Sequence, residues 1–99
     1  MQSFYPETFE RDMACTEAEW LQWLPAAIGQ HRHALQAGSA RVTLEGGELQ
    51  LRWQVQPARA IAQIRLPRLQ VAFAFHGVPD HARHAFMRRF DLYMQRGGG

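Results

Sequence analysis

Apolar and polar residues alternate almost without a break across residues 41–75. A period of two is the mark of a half-buried antiparallel sheet. Residues 41–45 turn Val42 and Leu44 toward a core. Gly46-Gly47 then supplies the two positive-φ positions of a two-residue hairpin. Residues 48–56 face Leu49, Leu51, Trp53 and Val55 inward, residues 57–59 make the next connection, and residues 60–66 present Ala62, Ile64 and Leu66. After Pro67 the parity reverses, and the inner set becomes Leu69, Val71, Phe73 and Phe75. One extra residue moves every later side chain to the opposite face. Pro67-Arg68 therefore marks either a β-bulge in one long bent strand or a tight reversal. The bulge is preferred, because a two-residue turn led by proline makes a poor hairpin.

Helical spacing flanks this sheet. Thr16 to Glu19 form a capping box, so a first helix opens at Glu17. Trp20, Leu24, Ala27 and Ile28 then share one face, with Leu21 beside them. Pro25 predicts a break, since it lacks an amide donor and its ring crowds the carbonyl of Leu21. Gly29 ends the short second turn. Residues 30–38 fit either a loop or an extra strand, paired with residues 40–45 through Ala37-Gly38-Ser39. Near the C-terminus, Asp80 serves as N-cap of a second helix. Ala82, Phe86, Phe90 and Tyr93 line its apolar face, with Met87 and Met94 at the edge. Arg96 suits the negative end of its dipole, Gly97 caps it, and the last glycines form a flexible end. Residues 1–15 carry Phe4, Tyr5, Phe9 and Met13 without a period, which predicts an apolar arm packed on the domain or on a partner. The expected architecture is a single α+β domain: a three- or four-stranded antiparallel meander with both helices on one face, in the order α-β-β-β-α.

Composition narrows the classes. Ninety-nine residues, 46% hydrophobic, make one globular domain able to bury a core without staples. The single cysteine, Cys15, excludes an intrachain disulfide and a cysteine-only metal site, and fits a reducing compartment. The N-terminus lacks a basic segment followed by an apolar run, so no signal peptide is expected. No apolar run approaches the ~20 residues that span a bilayer. The expected setting is cytoplasmic, without membrane contact.

Charge is uneven. Residues 1–39 hold five acids and two arginines, for −3, while residues 40–99 hold nine arginines and four acids, for +5. Lysine is absent, which a GC-rich coding bias explains as well as selection for planar, bidentate guanidinium donors does. On the outer sheet face, Arg41, Arg52, Arg65 and Arg68 join a row of glutamines that can contact phosphates. Every sheet aromatic falls on the inner set, however, so bases would find nothing to stack on. The second helix offers Arg83, Arg88 and Arg89 to a nucleic-acid backbone or an acidic partner, though an ordinary solvated helix face looks the same. Trp23 lies three residues from Trp20 and is a candidate contact if exposed.

Chemistry is harder to find. His31 and His33, with His81 and His84, make two pairs at chelating spacing, and His76 lies nearby. They come from opposite ends of the chain without a fixed acidic ligand. Cys15 precedes a helix N-terminus, where the dipole lowers a thiol pKa, but a small apolar packing residue fits there equally. No cofactor motif is present. The sequence thus points to a non-catalytic binding protein that engages a protein partner or a second copy of itself, with nucleic acid as the alternative ligand.

Overall fold

The computed structural model describes residues 4–96. The chain runs as strand β1 (Thr8–Met13), helix α1 (Glu17–Ile28), strands β2 (His33–Gln36), β3 (Ser39–Leu44), β4 (Gly47–Ile61) and β5 (Ile64–His76), and helix α2 (Asp80–Arg96). All five strands join one antiparallel sheet in the order β1-β5-β4-β3-β2. The fold is α+β, with more strands than alternation alone reveals. The expected arm contains edge strand β1, and the ambiguous stretch at 31–36 supplies edge strand β2. The expected cap at Gly97 and the glycine tail lie outside the described residues.

One face of the sheet is apolar and carries both helices. Val42, Leu49, Leu51, Trp53, Leu69, Val71, Phe73 and Phe75 are buried beneath Trp20, Leu24, Ala27 and Ile28 of α1 and Phe86, Met87, Phe90 and Met94 of α2. Phe9 stacks on Phe73 at 4.6 Å between ring centroids, which joins the edge strand to this core. Trp53 Nε1 donates to Glu17 at 2.8 Å and ties β4 to the start of α1. The Trp20 indole N–H, fully buried, has no hydrogen-bond partner among the described residues. No helix among them is long and apolar enough to cross a membrane.

Several local expectations shift. α1 opens on the capping box, with Glu19 N–H donating to Thr16 Oγ1 and Thr16 N–H donating to Glu19. It then runs through Pro25 without a break. Leu21 and Pro25 both lie on the exposed face, so water can satisfy the carbonyl that loses its donor. The first hairpin turns on Glu45-Gly46, one residue earlier than expected, and only Gly46 has positive φ, at 79°. Gly47 is needed for another reason: a Cβ there would lie 1.8 Å from the His76 carbonyl oxygen. Pro79, rather than Asp80, accepts the first helical bond of α2, from Arg83 N–H.

The largest difference concerns residues 56–68. β4 does not end near Gln56 but continues to Ile61, and the chain reverses at Ala62-Gln63. The register shift between Gln56 and Arg59 sets Pro57 and Ala58 of β4 against Pro67 of β5. The expected bulge is thus present beside Pro67, but its extra residue sits on β4 and the reversal lies five residues earlier. β4 and β5 run 15 and 13 residues, against 6, 4 and 6 for β1, β2 and β3. Their far ends project beyond the helical layer as a two-stranded arm. Ile64 and Leu66, expected in the core, are 60% and 37% exposed on it, and Val55, likewise expected in the core and just before the register shift, is 62% exposed.

Candidate functional site

Three surfaces have distinct chemistry: the open sheet face, the arm, and a groove between β1 and α2. The open face displays Glu10 and Asp12 from β1, Arg68, Gln70, Ala72 and Ala74 from β5, Gln50, Arg52 and Gln54 from β4, and Ser39 and Arg41 from β3. Small residues at its centre leave a hollow of about 510 Å³, rimmed by Glu10, Arg52, Gln54 and Gln70. Most of its charge is neutralised in place. Arg41 pairs with Glu48 at 3.4 Å, Arg68 with Asp12 at 3.1 Å, and Gln70 donates to Glu10 at 3.0 Å. Arg52 makes no ion pair among the described residues. The carboxylates along β1 also guard an open strand edge against unwanted pairing.

The basic side of α2 divides into structural and free residues. Arg83 donates to the carbonyl oxygens of Tyr5 at 3.0 Å and Val78 at 2.7 Å, and reaches Asp80. Arg89 donates to Ala26 in the last turn of α1 and lies 4.4 Å from the Tyr93 ring centroid. Both hold elements together, which removes them from the set of free contacts. Arg88 makes no ion pair among the described residues and faces the groove. Trp23 is half-buried against the core rather than presented as an anchor.

Tyr5, Met13, Ala14, Arg88, Leu92 and Met94 line most of the groove, which encloses about 650 Å³. Its back wall is a charge cluster. Arg11 forms a bidentate pair with Asp91, and the Tyr5 hydroxyl donates to the same carboxylate at 2.8 Å. The Arg11 guanidinium also lies over the Phe9 and Phe73 rings, at 5.4 and 5.5 Å. Burial pushes the Tyr5 pKa up, reinforced by the hydrogen bond to Asp91. Burial opposes the charge on Arg11, but the hydrogen bond and charge of Asp91 outweigh it and raise its pKa.

The arm was missed as a site from sequence. Of the ten residues 57–66, only Arg59, Gln63 and Arg65 are polar, and no acid occurs between Glu48 and Asp80. Ile61 pairs with Ile64 and Arg59 with Leu66, so these four share one side of the ribbon. Ile61 is 52% exposed. Arg65 lies on the arm as well, and neither it nor Arg59 makes an ion pair among the described residues. The signal available beforehand was this acid-free apolar run, bracketed by Pro57 and Pro67.

Groups suited to catalysis lie apart. Burial, and then the charge of Glu19, push the Cys15 thiol up, opposite to the lowering expected from a helix N-terminus. His33 contacts the His31 carbonyl, His81 pairs with Glu45 at 3.0 Å, and the rings of His84 and His31 pack on Tyr5 and Phe86. Among the described residues, no three of His, Cys, Asp and Glu gather as a metal site would require. No protein-family model, curated protein or solved structure matches the chain.

Proposed function

We propose that this chain is a small, cytoplasmic, non-catalytic binding protein that engages another protein chain through the β4–β5 arm. The observation that carries this reading is the uncovered apolar side of the arm, formed by Ile61, Ile64 and Leu66. A two-stranded ribbon is marginal on its own in water and gains stability when something packs on it. Clustered exposed aliphatics mark such contacts, whereas scattered ones do not.

Nucleic acid remains the second reading, favoured by Arg59 and Arg65 on an arm without acids. It has less support, because Arg41 and Arg68 are held by carboxylates and Arg83 and Arg89 by internal hydrogen bonds.

The test compares the wild-type chain with a variant in which Asn-Gly replaces residues 57–67, in a lysate of the source cells, by cross-linking and mass spectrometry. Protein adducts are expected on the wild type and lost from the variant. Adducts that survive removal of the arm overturn the reading. So does arm-dependent binding of labelled oligonucleotides that weakens steeply with salt, which establishes the nucleic-acid alternative.

A further inference from the structure

We infer that the arm's partner is a second copy of this chain, and that two copies exchange arms reciprocally, each seating Ile61, Ile64 and Leu66 in the other's β1–α2 groove. This rests on the reading of the arm as a protein-binding element and names what it binds.

Two observations carry it, and the charges at the groove are compatible with it. The first is position. Asp12, Met13 and Ala14 line the groove and also line the crevice against Arg59, Leu66, Pro67 and Arg68 at the base of the arm. Arm and groove are therefore neighbours at one end of the fold. A two-fold axis beside that base can then satisfy both at once, as an isologous dimer requires. The second is fit. The groove has an apolar wall of Met13, Ala14, Leu92 and Met94, with Leu92 44% exposed, and a volume of about 650 Å³. From Pro57 to the tip, the arm extends about 17 Å at the usual strand rise. The α2 wall from Arg88 to Gln95 is about 10 Å long, so the arm spans it.

Charge does not oppose the docking. The arm carries Arg59 and Arg65 without an acid, while the charged lining of the groove, Arg11, Asp12, Arg88 and Asp91, sums to zero. Arg59 shares the side of the ribbon that carries Leu66, and it would arrive at the rim holding Asp12, in front of Asp91 in the back wall. Both carboxylates already have a partner and retain lone pairs for another donor. Arg88 stands on the same rim and is exposed, so its guanidinium can turn to solvent.

Light scattering and disulfide trapping test this together. The wild-type chain is expected to scatter at twice its 11.4 kDa mass. Ile64→Cys and Leu92→Cys chains, each with Cys15→Ser, are expected to form a mixed disulfide dimer under mild oxidation, while Ile64→Cys alone does not link to itself. Both positions are exposed, so the substitutions leave the core intact. Leu92→Glu is expected to weaken dimerisation at least tenfold. A chain that stays at 11.4 kDa at millimolar concentration overturns the exchange. Efficient self-linking of Ile64→Cys without the mixed product also overturns it, since the arms would then meet each other rather than the groove. If the chain is monomeric yet still makes arm-dependent adducts with other proteins, self-exchange fails and the arm remains a protein-binding element.

Discussion

Tyr5, Arg11 and Asp91 show how three residues distant in sequence close one side of the molecule. Asp91 sits on α2, Arg11 on β1 and Tyr5 ahead of it, and one carboxylate receives all three contacts. The raised Tyr5 pKa makes this a pH-dependent tie. Because the folded state holds the phenolic proton more tightly, the contribution is complete below the unfolded value near 10 and is lost as pH rises through the higher folded value. Urea midpoints at pH 8 and pH 11 should therefore fall more for the wild type than for Tyr5→Phe. At pH 8 that variant should be less stable by about 1 kcal/mol. Cys15 gives a second residue-scale outcome. Buried and with a raised pKa, it should alkylate with iodoacetamide at pH 8 about tenfold more slowly in the folded chain than in urea. Comparable rates would place the thiol at the surface.

At the scale of elements, α1 carries a correctable defect. Pro25 removes one helical hydrogen bond on a solvent-facing turn, and the helix runs through it unbroken. Pro25→Ala should stabilise the protein by about 1–2 kcal/mol, after the greater freedom of the unfolded chain offsets part of the gain. Thermal unfolding followed by circular dichroism should show a higher midpoint, and a lower one would mean that the ring itself packs. The same helix shows what a sequence discloses. Its start and its buried stripe follow from local spacing, but whether Pro25 breaks it depends on where the Leu21 carbonyl finds water. Alternation likewise assigned Leu49, Leu51, Trp53 and Leu69 to Phe75 to the inner face, because side-chain parity is local. It could not place the extra residue at Pro57-Ala58 on β4 rather than at Pro67, so Ile64 and Leu66, which lie on the same side of β5 as Arg68, read as core. The reversal at Ala62-Gln63 carried no turn signal, since Ala62 takes φ 54° where glycine or asparagine is usual. β1 was obscured by Arg11, a charge at an inward position that Asp91, 80 residues away, helps to make tolerable. The candidate arginines were visible as donors. The bonds that hold Arg68 and Arg89 were not, because Asp12 and Ala26 are brought to them by the fold.

At the scale of the whole molecule, the protein is a layered core with an appendage, extending 46 Å in its longest dimension against 29 and 21 Å in the others. The core holds every buried hydrophobic side chain, and none comes from residues 57–66. On the proposed function, folding and association fall to different parts of one hairpin, divided at the register shift beside Pro67. Joining Gln56 to Arg68 through Asn-Gly keeps the last regular pair before that shift and the Arg68–Asp12 ion pair. It also replaces the strained Ala62 tip with a turn suited to the strand twist. Since no core contact is lost, urea unfolding of this variant should remain one cooperative step, with stability within about 1 kcal/mol of the wild type measured under monomeric conditions. The same variant should lose any concentration-dependent rise in stability, because mass action stabilises only a chain that can still associate. A large loss of monomer stability would mean that the arm folds back as part of the core. A concentration dependence that outlives the arm would place the association surface elsewhere, on the open sheet face or at the β2 edge.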